Sequence, residues 1–392
     1  MKQIPKLRPA VATFLMMIAV STTSTAISFL NQPVATQLQV GMGSFTLYYS
    51  LMVAAGAITT PFVGQLIHKL GVGKIVISTA VWGLICMFLF SIANSLWVFY
   101  IVGILAGALG GSAITLLANV VLQTYYTTSE AASLIGIVMA GSGVGSMIYS
   151  ALIPSLLEKT GIGMTYRIIG VIWLAILVLS ILILGKAQPV VEEKSGQSGG
   201  DGMTRKEAMK SPILYMMLGS VVLLTCGTGL SQHWPAVLGE LGCDATAIGA
   251  VVSFYSAVLT VGKIAQGILY GKAGLKKGAL IVYVLYIAGF VLLLNSVVYP
   301  AFFCIGLGFG ILTTLVPVLT KSLFGQKEYA GIYGIIAMSM SVGSFITTPA
   351  WGVVYDTAGS YRPGFLVMPA LIAGAFILQM AAIRLQEKGK QE

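Results

Sequence analysis

Twelve stretches of about 20 apolar residues each, joined by short connections that hold nearly all the charge, limit this 392-residue chain to one kind of fold. They run over residues 10–32, 45–67, 75–94, 97–123, 132–156, 166–185, 212–233, 246–270, 279–296, 299–320, 331–354 and 364–384. A stretch of that length crosses a bilayer as a helix, because only a helix satisfies its backbone polar groups within its own segment. A membrane barrel would instead need alternating segments of about ten residues, which are absent. Hydrophobic residues make up 57% of the chain and charged ones 9%, against about 25% charged in soluble proteins. The expectation is an all-α membrane protein with twelve transmembrane helices.

The formal charge of +10 raises the question of nucleic acid, and the placement of the cations answers it. If the N-terminus is cytoplasmic, the 22 Lys and Arg fall on the cytoplasmic side with four exceptions. Lys159, Arg167 and Arg362 lie on the opposite side, and Lys263 lies within a span. That asymmetry is the positive-inside bias, so both termini are expected in the cytoplasm and the basic balance is a topology signal. Short loops suit a bacterial inner membrane. The partners expected are the lipid bilayer and a small molecule, with no nucleic acid, and the chain is expected to be a monomer. The basic N-terminus followed by an apolar stretch resembles a signal peptide, but its length and Ser/Thr content make it an uncleaved first helix. Cys86, Cys226, Cys243 and Cys304 are scattered without metal spacing and imply no disulfide framework. With no nucleotide motif, nucleophile–base set or metal cluster, neither an enzyme nor a cofactor is expected.

Residues 186–211 are polar and low in complexity, and they read as a flexible cytoplasmic linker. They divide an N-terminal six-span unit (1–185) from a C-terminal one (212–392). The two units repeat each other. Gly64-Gln-Leu-Ile-His-Lys69-Leu-Gly71-Val-Gly-Lys74 follows span 2, and Gly267-Ile-Leu-Tyr-Gly-Lys272-Ala-Gly274-Leu-Lys-Lys277 follows span 8, with Gly, Leu, Lys, Gly and Lys coinciding at an offset of 203. At an offset of 198, Glu130 pairs with Glu328, Gly136 with Gly334, Val144-Gly145-Ser146 with Val342-Gly343-Ser344, and Gly161 with Gly359. Tyr166-Arg167 and Tyr361-Arg362 then open spans 6 and 12. Ordered matches of this kind point to an internal duplication.

Two parallel six-helix halves with a central cytoplasmic loop resemble the major facilitator superfamily over the full length of the chain. The Gly-x-Leu-x-x-Lys-x-Gly-x-x-Lys stretch is similar to that family's gating motif between helices 2 and 3. It departs from it at His68, where the family usually carries Asp, which weakens the acid–base clasp between the halves. The resemblance implies two pseudo-symmetric bundles with substrate held at mid-membrane between them and exposed to each side in turn.

Within the spans, Lys263 is the one residue of full charge, and no Asp or Glu accompanies it. An ionisable group there costs about 2.5–3.5 kcal/mol on insertion scales and is a functional candidate by default. Ser253, Ser256, Thr260 and Lys263 recur at spacings of 3, 4 and 3 and share one helix face. Similar polar stripes run through span 1 (Ser21, Thr25, Ser28, Gln32), span 4 (Ser112, Thr115, Asn119, Gln123), span 7 (Thr225, Thr228, Gln232) and span 11 (Ser341, Ser344, Thr348). Two readings stand for these stripes: the lining of a water-filled cavity, or glue between helices. Two stand for Lys263 as well. Its ammonium faces a cavity, or it snorkels about 10 Å to the cytoplasmic end near Tyr270. The duplicated position in the first half is Thr60, so insertion alone does not demand a cation. His233 beside Trp234 reads as a proton site or an interfacial pair, and Tyr48 and Tyr49 as cavity or interface residues.

Gly262-Lys263-Ile-Ala-Gln-Gly267 resembles helix 8 of monocarboxylate transporters and bacterial oxalate–formate exchangers, where a basic residue four before the glycine binds the substrate carboxylate. The glycine-spaced helix 5, with Gly136, Gly141, Gly143 and Gly145, is similar to the same branch, and Tyr149 below it is a further cavity candidate. Asn31 takes the place of the helix 1 lysine of animal carriers, and Leu259 that of their proton-coupling Asp. The second cation of oxalate exchangers has no counterpart in span 11, which favours a monoanion over a dianion. The substrate-binding set implied is Lys263, Thr260, Ser256, Asn119, Tyr149, Asn31, Thr228 and Ser341. The function expected is secondary active transport of a small, monocarboxylate-like organic monoanion by proton symport or anion exchange. The alternatives are an efflux carrier for drugs or lipophilic compounds on the same fold, and a non-transporting membrane sensor.

Overall fold

The computed structural model describes residues 4–126, 128–185 and 202–388. Most of the expected linker, 186–201, lies outside them. The helices are α1 (Ile4–Val20), α2 (Thr25–Gln37), α3 (Met42–Leu70), α4 (Val72–Ile92), α5 (Leu96–Ala108), α6 (Gly111–Tyr125), α7 (Thr128–Leu184) and α8 (Arg205–Lys210). They continue as α9 (Pro212–Ser231), α10 (Trp234–Glu240), α11 (Ala245–Ala273), α12 (Leu275–Leu294), α13 (Val298–Phe309), α14 (Ile311–Phe324), α15 (Tyr329–Ala358) and α16 (Arg362–Lys388). There is no β-strand among the described residues.

Eleven helical runs are long and apolar enough to cross a membrane. One of them, Gly136–Leu184, has 49 residues and reverses at Gly161, where φ is 73°. At 1.5 Å per residue that run covers about twice the thickness of a bilayer core, so it supplies two crossings and the total is twelve. Three spans that read as continuous in sequence are broken. The first is interrupted by a 3-10 turn at Ser21–Thr23, the fourth at Leu109–Gly110 and the tenth at Gly310. At each break a hydroxyl donates to a nearby carbonyl: Thr23 to Val20, Thr59 to Ala108 and Thr314 to Gly310.

By contacts the chain forms two compact units. The first comprises Met1–Glu193 and Gln232–Ala257, the second Lys194–Ser231 and Val258–Glu392. In the first, α7 packs along α1 and α4, and α3 packs along α5. In the second, α9 packs along α15 and α16, and α12 along α13.

Repeat geometry recurs inside the units. Helices α3 and α11 each run 29 residues and end before Gly71 and Gly274, whose φ angles are 80° and 78°. Side chains other than glycine rarely adopt that conformation, so the motif needs its second glycine to reverse the chain into α4 and α12. A Cβ on Gly145 would stand 2.6 Å from the Ile18 carbonyl oxygen of α1, and one on Gly343 would overlap Thr225 Oγ1 of α9. Arg167 Nε donates to Ser91 Oγ at 3.1 Å in the first unit, and an Arg362 terminal nitrogen donates to Ser296 Oγ at 3.3 Å in the second. The paired Tyr-Arg openings of spans 6 and 12 thus make equivalent clasps.

Apolar and polar side chains are distributed as a bilayer requires. Ile77, Val81, Ile85, Phe88 and Ile92 form an exposed apolar stripe on α4 at spacings of 4, 4, 3 and 4. Polar groups such as Thr13, Thr22, Asn31, Ser150 and Gln379 are buried. Lipid can solvate the first set and not the second.

The end of the linker is built onto the second unit. Met203 N–H donates to the Phe324 carbonyl at 2.8 Å, and Arg205 N–H to Glu328 Oε2 at 2.7 Å. Thr204 and Glu207 form a capping box on α8 that holds the Glu207 carboxyl below its ordinary range, because the Thr204 N–H and hydroxyl both bond to the glutamate.

The α1–α7 contact predicts that Gly145→Val lowers the thermal unfolding midpoint of the purified protein in micelles, through about 1–3 kcal/mol of overpacking. Gly136→Val should be tolerated, because a Cβ there meets nothing within 4 Å.

Candidate functional site

The polar stripe of span 1 meets partners within the first unit. Thr22 Oγ1 donates to the Tyr149 hydroxyl at 2.8 Å, and Thr25 and Ser146 share a hydroxyl pair at 2.7 Å. Ser21 Oγ donates to the Ser142 carbonyl at 2.5 Å. Tyr149 is therefore buried in the α1–α7 packing, where its hydroxyl accepts a hydrogen bond. Asn31, also buried, uses both ends of its amide. Its Nδ2 donates to the Gln232 carbonyl at 3.1 Å and its Oδ1 accepts from the Tyr48 hydroxyl at 2.8 Å. Ser253 on the first part of α11 donates to the Met147 carbonyl at 3.0 Å. Asn31 and Ser253 thus tie residues 232–257 into this unit.

Other candidates in the first unit differ in their commitments. Ser256 is buried and bonds back to the Val252 carbonyl of its own helix at 2.9 Å. Asn119, half-buried on α6, makes no hydrogen bond among the described residues. His233 and Trp234 are both buried, and the Trp234 ring packs edge-on to Tyr255 at 6.2 Å.

In the second unit, Lys263 is half-buried on α11 and has neither a hydrogen bond nor an ion pair among the described residues. The half of α11 that carries it shows two sides. Val261, Ile264 and Ile268 are exposed, at 64%, 63% and 55%, and make an apolar stripe. Gly262, Gln266 and Tyr270 are buried. At 100° per residue, Lys263 lies about 130° around the helix from the middle of the exposed stripe. Thr260, one turn earlier, is half-buried and engaged in contacts of its own. Thr228 Oγ1 on α9 is buried without a hydrogen-bond partner, and Ser341 on α15 is half-buried with none among the described residues.

The gating-motif residues lie at the ends of α3 and α11 and in the turns that follow. Gly64 is within α3, Gly267 within α11, and Lys69, Lys74, Lys272 and Lys277 are exposed around the positive-φ glycines Gly71 and Gly274.

Sequence reasoning passed over one polar centre. Gln266 is buried, its Nε2 bonds to the Leu307 carbonyl, and its Oε1 accepts from the Thr314 and Tyr270 hydroxyls, the latter at 3.1 Å. A Gln at an apolar helical position three residues after the lysine is the signal that could have identified it. Among the described residues no cluster of His, Cys, Asp or Glu could hold a metal ion.

Comparison with known proteins adds family and fold. Residues 10–346 match the Major Facilitator Superfamily, and residues 233–392 match it a second time. The chain is 25% identical over 329 residues to the uncharacterized MFS-type transporter YhjX of Escherichia coli (strain K12), covering 81% of this chain and 80% of that one. It is 25% identical over 333 residues to monocarboxylate transporter 12-B of Danio rerio, covering 75% and 69%. The nucleoside transporter NupG superposes with a TM-score of 0.78 at 15% identity over 96% of this chain and 99% of that one. A bacterial homologue of the human lysosomal transporter Spinster, inward-facing and occupied, gives 0.73 at 16% identity over 96% of each. These likenesses show the fold: twelve helices in two pseudo-symmetric six-helix bundles.

The Asn31 contacts predict a graded loss of stability. Asn31→Leu strands both the Tyr48 hydroxyl and the Gln232 carbonyl and should cost about 1–3 kcal/mol, read as a lower unfolding midpoint in micelles. Tyr48→Phe strands only one acceptor and should cost less.

Proposed function

Because this chain belongs to the Major Facilitator Superfamily and is a multi-pass membrane transporter of that type, we propose that its cargo is a small organic monoanion and that Lys263 binds the cargo's carboxylate. The observation that carries this reading is the lysine itself. It is a cation within the span Ala245–Ala273, half-buried and without a protein counter-charge among the described residues. A bare ammonium in a low-dielectric setting is unfavourable, and an incoming carboxylate offsets that cost more effectively than any neutral solute. Its position away from the Val261–Ile264–Ile268 stripe supports a setting other than acyl chains. A lipophilic cation, the cargo of the competing efflux reading, would be repelled by it.

Thr260 lies one turn away on the same helix, and Thr228 and Ser341 of the same unit retain hydrogen-bonding capacity for the remainder of the cargo. Asn31 and Tyr149 serve as packing elements, since their polar groups are already engaged. One cation suits a monoanion, and a lysine gives a point charge rather than the bidentate fork of an arginine. The named monocarboxylate carrier among the relatives is consistent with this class. Transport proceeds by alternating access, driven by proton symport or anion exchange, in a bacterial inner membrane with both termini cytoplasmic and the protein a monomer.

The test is uptake of labelled lactate, formate and pyruvate into proteoliposomes. A charged hydrogen bond of about 1.5–3 kcal/mol predicts that Lys263→Ala lowers kcat/KM roughly 10- to 100-fold, at 1.4 kcal/mol per tenfold. Lys263→Arg should keep most of the activity. Uptake unchanged in Lys263→Ala would move the site elsewhere in the fold.

A further inference from the structure

We propose that Gln266 is a positioning residue that sets the rotation of α11 and thereby keeps Lys263 turned away from lipid. This rests on the reading of Lys263 as the cargo-binding cation. Gln266 lies one turn after Lys263, and its bonds to other helices run to one place, the break between α13 and α14. Leu307, whose carbonyl it caps, is among the last four residues of α13, where a helix leaves its carbonyls without partners in its own ladder. Thr314, whose hydroxyl it accepts, is in the first turn of α14. The Tyr270 hydroxyl closes the set from within α11.

Shape enforces the same register. Gly262 faces α13, where a Cβ would stand 3.2 Å from Leu307 Cδ2 and 3.4 Å from the Leu307 Cα. Gly310, at the break, makes room for the amide, since a Cβ there would stand 2.6 Å from Gln266 Nε2. An amide bonded on both ends in an apolar setting has no alternative partners, so α11 cannot rotate by a residue, about 100°, without breaking the bonds to Leu307 and Thr314.

The first repeat handles its own break differently. There Thr59 Oγ1 donates to the Ala108 carbonyl at the end of α5, at 2.8 Å. Thr59 corresponds to Gly262 at the 203 offset, and Thr60 to Lys263. The second repeat has therefore moved its polar staple one turn along, from position 262 to 266, in the same half that carries the lysine. A staple that only closed the break could have stayed in place. Moving it frees the helix beside Lys263 from bulk and anchors it one turn away.

The test measures water access at position 263 and needs no knowledge of the cargo. In a background with all four cysteines replaced by serine, Lys263→Cys is labelled in membranes with a small water-soluble cationic methanethiosulfonate. Adding Gln266→Leu, similar in size but unable to bond, should slow labelling at least fivefold. A Thr314→Val plus Tyr270→Phe pair, which leaves Gln266 in place with one bond, should give an intermediate rate and serves if the leucine variant does not fold. In uptake assays with a labelled monocarboxylate, Gln266→Leu should raise KM at least fivefold, whereas a loss of folding alone would lower the maximal rate and leave KM unmoved. Equal labelling in both backgrounds would overturn the positioning role and leave the Lys263 reading intact. No labelling in either would overturn the Lys263 reading, and the positioning role with it.

Discussion

A bilayer core offers no hydrogen bonds, and every feature of this protein is an answer to that fact. It forces the chain into helices, turns apolar stripes such as Ile77–Ile92 of α4 outward, and drives hydroxyls and amides inward. There they bond to carbonyls across helix contacts, as Ser21 does to Ser142 and Thr347 to Thr225. It also makes Lys263 costly, since no counter-charge stands beside it among the described residues, and that is the ground of the proposed pairing with a cargo carboxylate.

The duplication supplies the scaffold, and departures from it supply the specificity. Both repeats reverse direction at a positive-φ glycine, Gly71 or Gly274, and both clasp an arginine to a serine at the start of the last span. They diverge along α3 and α11, where Thr59 and Thr60 in one become Gly262 and Lys263 in the other. Symmetry would leave two neutral threonines at these positions in both halves. Breaking it at these positions places an intramembrane cation on α11, with the buried Gln266 amide one turn away.

The fold was legible in sequence because its signals are long-range averages. Twenty-residue hydrophobicity, the lysine and arginine bias and the offsets of 203 and 198 all survive local irregularity. What averaging hides is where a helix breaks. The interruptions at Ser21–Thr23, Leu109–Gly110 and Gly310 sit inside runs of unbroken hydrophobicity, and the groups they release determine which polar residues are busy. Asn31 and Tyr149 look like cavity residues in a polar stripe, but packing gives them the Gln232 carbonyl, Tyr48 and Thr22 as partners. Gln266, three residues after the lysine, is not set apart along the sequence, because its partners on other helices lie 41 and 48 residues away.

Sequence by itself determined the solvent this chain must live in, the number of its crossings, its twofold repetition and the presence of one intramembrane cation, since each follows from composition and order along a line. Only the tertiary structure decided which side of α11 that cation occupies and which polar groups are already spent on neighbours. Those depend on helix rotation and on contacts between distant segments. In a medium that solvates no polar group, a rotation of a single residue changes every partner.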